Sequence, residues 1–169
     1  MIIKKLFLVI TLFFVHTTSY SASMNMIGEK GDPSKIDRTI EIEMYDNYYY
    51  PTQIEVKKGE TIKFVITNLG EMVHEYNIGT KEMHTKHQPE MQKLIDHEII
   101  TYDKIDKKKM KEMSKKDHSL AHSHSNSVML EPQGQGEIIW KFSKDINLEM
   151  ACNLPGHYES GMVGKIITK

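Results

Sequence analysis

Short runs of alternating apolar and polar residues occupy the first and last parts of the chain. The runs lie at residues 40–44, 54–56, 62–66, 138–142, 148–152 and 163–168. A period of two residues is typical of strands that bury one face. The KKGE stretch at residues 57–60 predicts a turn between two of these strands. Short, regularly spaced strands joined by Gly and Pro turns predict an all-β sandwich or barrel.

Residues 80–126 have a different pattern and predict an insertion on this β scaffold. The segment is rich in lysine, acidic residues, histidine and methionine. Pro89 is well placed to begin a helix, and apolar residues recur at helical spacing from Met91 to Ile105. The polar stretch from residue 106 to residue 127 predicts a mobile loop. The insertion is therefore expected to be only partly helical.

The N-terminal residues 1–22 have the layout of a secretory signal peptide. Lys4 and Lys5 precede an apolar run, and small residues follow as far as Ser23. An uncleaved membrane anchor is the alternative, but the apolar run is shorter than a bilayer-spanning helix needs. We therefore predict cleavage near residues 21–23 and a mature periplasmic protein that is not held at the membrane.

The mature chain is expected to form one domain, over residues 38–169, after a flexible arm over residues 23–37. The formal net charge of the whole chain is −1, which gives no electrostatic argument for binding nucleic acid. The chain has one cysteine, Cys152, so it cannot form an internal disulfide. A lone thiol in an exported protein calls for another explanation.

That explanation lies in the residues that follow Cys152. His157 and Met162 share one short loop with it between two predicted strands, and together they offer a thiolate, an imidazole and a thioether. Soft sulfur ligands with imidazole select copper, and two histidines, one cysteine and a weak axial methionine form an electron-transfer copper site. The alternatives are a buried thiol that only fills the core and a Cys–His hydrolase, which would have no use for Met162.

A second histidine has to come from elsewhere in the chain. His74 is the best candidate, because it lies in the Gly-containing stretch NLGEMVHEYNIG directly ahead of a short strand. In a sandwich, a loop after the early strands lies beside the loop between the last two strands. This arrangement would bring His74 to the Cys152 loop.

The stretches around His74 and CNLPGHYESGMVGKI at the C-terminal end resemble the cupredoxins, which are small blue-copper proteins. The resemblance covers residues 38–79 and 127–169, and the ligand spacing is most similar to rusticyanin and the CopI-type periplasmic copper-tolerance cupredoxins. It implies a Greek-key β-sandwich with one type 1 copper site, holding Cu(II) or Cu(I). The residues that match the family's ligands are His74, Cys152, His157 and Met162.

The chain departs from the family pattern in two places. Glu75 follows His74 where many cupredoxins have Asn or Ser, and simple electron carriers lack the insertion. The insertion could hold further copper, since His and Met side chains can share a helical face. The candidates are Met83, His84, His87, Met110, Met113, His118, His122 and His124. The alternative is a solvated loop indifferent to metal, because such enrichment is only compositional.

These observations predict a periplasmic copper-binding protein of copper tolerance, with Cu(I) oxidation left open. The alternative is a soluble electron-transfer protein like rusticyanin or plastocyanin, which would need a redox partner protein and an apolar docking patch around His157. An enzyme is less favoured, since a binuclear copper centre needs a second cysteine. We expect a monomer whose partners are copper ions.

Overall fold

The computed structural model of the chain describes residues 26–169. The signal peptide predicted over residues 1–22 lies outside the described residues. Among the helices within residues 26–169, none has the length and apolar character needed to cross a bilayer.

The described residues fold into two five-stranded sheets. The strands are β1 (Glu29–Lys30), β2 (Arg38–Met44), β3 (Tyr49–Tyr50), β4 (Gln53–Val56), β5 (Thr61–Asn68), β6 (His74–Gly79), β7 (Ser127–Leu130), β8 (Gln135–Lys141), β9 (Leu148–Ala151) and β10 (Val163–Thr168). The orders are β1-β8-β5-β2-β3 in the first sheet and β4-β10-β9-β6-β7 in the second. The pairs β2–β5 and β4–β10 are parallel, and the other pairs are antiparallel. This architecture confirms the predicted all-β sandwich.

Aromatic side chains from both sheets fill the space between them. Phe64 of β5 lies 5.6 Å from Tyr76 of β6, measured between ring centroids, and 6.2 Å from Phe142. These side chains and Trp140 are fully buried. Full burial of one large apolar side chain contributes about 1.5–3 kcal/mol, so this layer holds the two sheets together.

Strand β6 differs from its neighbours because all six of its residues are buried. Tyr76 faces the aromatic core, so by strand alternation Glu75 faces the opposite side of the sheet. The insertion covers that side, where its first helix contacts β6 and β9. A charged residue in a central strand is thus enclosed between the sandwich and the insertion.

The first helix, α1 (Lys81–Asp96), begins earlier than the sequence predicted. Thr80 caps it by accepting a hydrogen bond from the backbone N–H of Met83 at 3.2 Å, and Pro89 lies inside the helix rather than at its start. The prediction of a helix start at Pro89 was wrong, because the Thr80 side chain caps the helix nearer the N-terminus. The periodic apolar residues after Asp96 lie beyond the end of α1.

The stretch predicted to be a mobile loop contains regular structure. It holds the helix α2 (Lys107–Met113) and a 3-10 helix over His118–Ala121. The carboxylates of Asp106 and Asp117 cap these elements by accepting hydrogen bonds from backbone N–H groups. Leu120 is only 2% exposed. This buried side chain and the caps explain why a strongly polar stretch is folded here.

The N-terminal segment also differs from the flexible arm that was expected. Strand β1 pairs with β8 through Glu29 and Lys141, and Ile27 is fully buried. A 3-10 helix follows over Pro33–Lys35, capped by Asp32. Pairing and burial of so short a segment join residues 26–37 to the edge of the first sheet.

Candidate metal centre

Four sequence-predicted ligands lie at one end of the sandwich. His74 is the first residue of β6, Cys152 directly follows β9, and Met162 directly precedes β10. His157 lies in the loop between β9 and β10. Because β6 and β9 are paired neighbours, their ends bring His74 and Cys152 together as the sequence suggested.

The nitrogen and sulfur atoms of three of these residues converge. The Cys152 Sγ atom is 3.4 Å from His157 Nδ1 and 4.0 Å from His74 Nδ1. All three candidate ligand atoms lie within 4.8 Å of one another. Thiolate and imidazole ligands at ordinary bond lengths in a trigonal arrangement would have S···N distances of about 3.8 Å. The arrangement therefore fits one soft metal ion with little movement.

Asp46 orients the His74 ring, and sequence reasoning missed it. Its Oδ1 atom lies 3.0 Å from His74 Nε2 and also accepts from the backbone N–H of Glu71. Burial acts to raise the pKa of Asp46, but the hydrogen bonds from His74 and from the backbone N–H groups of Glu71 and Met72 together outweigh it and hold the pKa below its usual value. An ionised Asp46 keeps the His74 proton on Nε2, which leaves Nδ1 available to a metal.

The close contact between Asp46 and His74 explains the glycine at position 70. A Cβ atom at Gly70 would lie 2.9 Å from His74 Nε2 and closer still to Asp46 Oδ1. Any larger residue would push this carboxylate–imidazole pair apart. Gly70 therefore helps to keep the Asp46–His74 contact intact. In the sequence, only its position in a turn could have pointed to this role.

Cys152 is fully buried, and its sulfur accepts a hydrogen bond from the backbone N–H of Glu75 at 3.4 Å. Burial raises the pKa of the Cys152 thiol to about 12. A thiol in this setting keeps its proton until a cation replaces it, because only the thiolate binds metals.

Backbone hydrogen bonds close the loop that carries His157 and Met162. The Met162 N–H donates to the His157 carbonyl at 3.0 Å, and the Cys152 N–H donates to the Met162 carbonyl at 3.2 Å. Gly156 and Gly161 adopt positive φ angles of 82° and 97°, which glycine permits at tight turns. The Met162 side chain is fully buried. The loop thus fixes its ligands through its own backbone.

The insertion residues proposed as secondary copper ligands are distributed unevenly. His87, His122 and His124 come together, with candidate ligand atoms within 4.8 Å of one another. We call these three residues the histidine cluster. His84 is buried elsewhere, with its ring 5.9 Å from that of Tyr158. His118 is exposed. The methionines Met83, Met110 and Met113 pack against the apolar core.

Glu75 lies between the Cys152 loop and the histidine cluster. Its Oε2 atom accepts from the backbone and side-chain nitrogens of Asn153 at 3.2 and 2.8 Å. Its Oε1 atom is 3.1 Å from His87 Nε2 and 2.9 Å from His122 Nε2. Burial acts to raise the pKa of Glu75, but His87 and His122 outweigh it and hold the pKa well below its usual value. Sequence reasoning noted Glu75 only as a departure from a family pattern.

Comparison with known proteins agrees with this fold. The sequence model described as the cupredoxin-like domain matches residues 5–104. The "Copper-resistant cuproprotein CopI" of Pseudomonas aeruginosa is 36% identical over 169 residues, covering 92% of this chain and 89% of the relative. The protein of the same name from Rubrivivax gelatinosus is 32% identical over 143 residues, covering 84% and 73%.

Solved structures give the same architecture. Auracyanin from Roseiflexus castenholzii has a TM-score of 0.57 and 22% identity, covering 79% of this chain and 98% of that one. Auracyanin B has a TM-score of 0.59 and 14% identity, covering 84% and 96%. At these identities the similarity shows the fold alone.

Proposed function

The chain belongs to the cupredoxin-like family, and we propose that it binds copper in the periplasm and serves copper tolerance. The copper would be held by His74, Cys152 and His157, with Met162 as a weak fourth ligand. We call these four residues the Cys152 site. Bound copper would supply a one-electron couple between Cu(II) and Cu(I).

The observation that carries this proposal is the convergence of Cys152 Sγ with Nδ1 of both histidines, at 3.4 and 4.0 Å. A thiolate with two imidazoles is a donor set that favours copper. It is also compatible with zinc, which prefers four strong tetrahedral ligands. A thioether in the fourth position argues for copper over zinc, because Met is a soft and weak ligand.

Each residue of the site has a distinct part in holding the metal. Asp46 fixes the ring of His74, so that its Nδ1 lone pair is directed at Cys152. The buried Cys152 supplies the negative charge, and the Glu75 N–H donates to its sulfur. Because the loop backbone ties Met162 to His157 and Cys152, the ligand positions depend little on the metal.

The copper-tolerance part of the proposal is supported by the relatives, two of which are named as copper-resistant cuproproteins and are at least 32% identical to this chain. The periplasmic location is supported by the signal-peptide pattern of residues 1–22. Copper outside the inner membrane would be bound by the Cys152 site before it reaches other thiols.

Growth on copper tests this proposal. A strain lacking the protein should grow poorly on copper, and the wild-type gene should restore growth. The Cys152→Ala variant should fail to restore it, because the site loses its only thiolate. His97→Ala is the matched control, since His97 is an exposed histidine at the end of α1, and it should restore growth fully. Normal copper tolerance in the deletion strain would contradict the proposal.

Electron transfer is the alternative that one observation favours. His157 is half-buried beside an apolar hollow that also contains Ile95, Ile100 and Leu154. Tyr102, at its edge, is 63% exposed. An apolar patch next to a surface ligand is where a redox partner protein would dock. A deletion strain that tolerates copper but loses a respiratory electron flux would favour this function instead.

A further inference from the structure

The histidine cluster is assembled from separate parts of the insertion and lies outside the Cys152 site. His87 comes from α1, whereas His122 and His124 follow the 3-10 helix. The side chains of His87 and His122 are each 3% exposed, and that of His124 is 13% exposed. The three ring centroids lie 5.0 to 5.3 Å apart. Histidines on a solvated loop would not converge in this way.

Two of these histidines point the same nitrogen at one carboxylate oxygen. His87 Nε2 and His122 Nε2 are 3.3 Å apart, and Glu75 Oε1 lies 3.1 and 2.9 Å from them. Nitrogen and oxygen ligands bound to one metal at ordinary lengths would be separated by about 2.9–3.3 Å. The three atoms thus have the spacing of ligands around a single ion.

Glu90 orients two of the rings from the outside. Its carboxylate oxygens lie 3.2 Å from His87 Nδ1 and 3.1 Å from His124 Nε2. A histidine that binds a metal usually donates its other ring N–H to such a carboxylate, which fixes the tautomer. Glu90 therefore leaves His87 Nε2 and His124 Nδ1 as the nitrogens that can bind a metal.

The backbone at His122 supports a role beyond packing. His122 has a φ of 38° and a ψ of 57°, in the left-handed region that costs a non-glycine residue about 1–2 kcal/mol. This conformation turns the chain so that His122 and His124 both reach α1. A sequence under no demand for these side chains would place glycine here.

We propose that His87, His122, His124 and Glu75 form a second metal site, that Glu90 positions its histidines, and that the site takes Cu(II). Three imidazoles and a carboxylate are borderline to hard donors, which suit Cu(II) better than Cu(I). Among first-row divalent ions, such a donor set binds Cu(II) most tightly. The choice of copper as the metal rests on the proposed copper-binding function. The existence of the site is argued only from the distances among these side chains.

The Cys152→Ala variant isolates this second site. Loaded with one equivalent of Cu(II), it should bind one copper per chain and give an electron paramagnetic resonance signal with nitrogen hyperfine structure and no thiolate absorption. Adding His122→Ala and His124→Ala to this variant should abolish binding of that copper ion. The double histidine change could also prevent folding, so His124→Gln is added alone to Cys152→Ala as a milder variant, and circular dichroism verifies that it folds. It should weaken copper binding and reduce the nitrogen coupling.

His118→Ala in the same background is the matched control, because His118 is an exposed histidine of the same insertion. It should leave the stoichiometry and the resonance signal unchanged. Glu90→Gln should lower the Cu(II) affinity about 10–100-fold, as removal of an orienting carboxylate does. The proposal is overturned if Cys152→Ala binds no Cu(II), or if the His122→Ala/His124→Ala changes leave the signal as it was. Retention of Zn(II) against equimolar Cu(II) would overturn the assignment to copper.

This design separates the two proposals. If the wild-type protein shows no thiolate-to-copper absorption while Cys152→Ala still binds one Cu(II), the Cys152 site fails and the second site stands. If the absorption is present in wild type but Cys152→Ala is free of copper, the second site fails alone.

Discussion

The Cys152 site and the histidine cluster lie on either side of Glu75, and the chain assembles them differently. Three of the four Cys152-site residues fall within one loop between paired strands, and backbone hydrogen bonds hold that loop. The histidine cluster draws on α1 and on the stretch after a 3-10 helix, and two carboxylates link its rings. The first site offers sulfur, whereas the second offers only nitrogen and oxygen.

The two regions pair different donor atoms with different scaffolds. A buried thiolate and thioether on a β scaffold suit a soft ion that changes charge without changing ligands. The histidine cluster is more polar, because the carboxylates of Glu75 and Glu90 lie against its rings. Copper in its two oxidation states would therefore be distributed between the two sites by ligand softness.

Within residues 26–169, the Glu75 side chain contacts both regions, so its removal should have the largest effect. Glu75→Ala leaves His87, His122 and Asn153 without their common acceptor. Loss of one partner from a buried ionic network costs about 3–5 kcal/mol. Chemical unfolding of the metal-free protein should show a loss of this size. Glu82→Ala, which removes an exposed ion pair with Lys86, should change stability little. Equal effects of the two changes would contradict a structural role for Glu75.

Alkaline pH should weaken the histidine cluster in the metal-free protein. Burial acts to lower the pKa of His87, but Glu75 and Glu90 outweigh it and raise the pKa to about 10. Protonated His87 therefore stabilises the folded state. Its contribution is fully present below the pKa of His87 in the unfolded chain, 6.5, and is lost as the pH rises through its folded pKa of about 10. The free energy of unfolding, measured from pH 6.5 to 10, should fall more steeply in wild type than in His87→Gln. Parallel curves would show that His87 is not held as an imidazolium.

Replacement of Asp46 should affect the Cys152 site and leave the histidine cluster unchanged. Asp46→Ala removes the carboxylate that fixes the His74 ring, and we expect the copper affinity of that site to fall about 10–100-fold. Competition with a colorimetric chelator would measure it. Asp103→Ala, at an exposed position, serves as the control. An unchanged affinity in Asp46→Ala would mean that the loop alone orients His74.

The smallest effect is expected from the methionine. Met162→Leu keeps the volume of this fully buried side chain but removes the thioether. Because the axial bond is weak, the variant should retain one copper at the Cys152 site and shift its visible absorption and reduction potential. Complete loss of copper from that site would show that Met162 is a principal ligand.

The sequence could indicate the Cys152 site because most of its candidate ligands are close together in the chain. Cys152, His157 and Met162 are close in the chain, and the alternation of apolar residues located the strands that flank them. Placing His74 beside them required only the general layout of a sandwich. Asp46 could not be found in this way, because its contact with His74 crosses from the segment after β2 to the start of β6.

The histidine cluster was harder to predict, because its geometry depends on long-range packing. Eight candidate residues lie in the insertion, and composition could not separate His122 and His124 from exposed His118. The missed start of α1 mattered here, since His87 lies in the part of the helix before Pro89. Thr80 followed by Glu82 in the first turn was a capping signal that could have corrected the helix.

X-ray absorption at the copper edge would show directly whether Cys152 binds the metal. Protein loaded with one equivalent of copper, in the His122→Ala/His124→Ala background, would report the Cys152 site by itself. We expect one short copper–sulfur distance together with two copper–nitrogen distances of about 2.0 Å, as for a thiolate and two imidazoles. Copper surrounded only by nitrogen and oxygen, with no sulfur at bonding distance, would contradict the claim that Cys152 binds the metal.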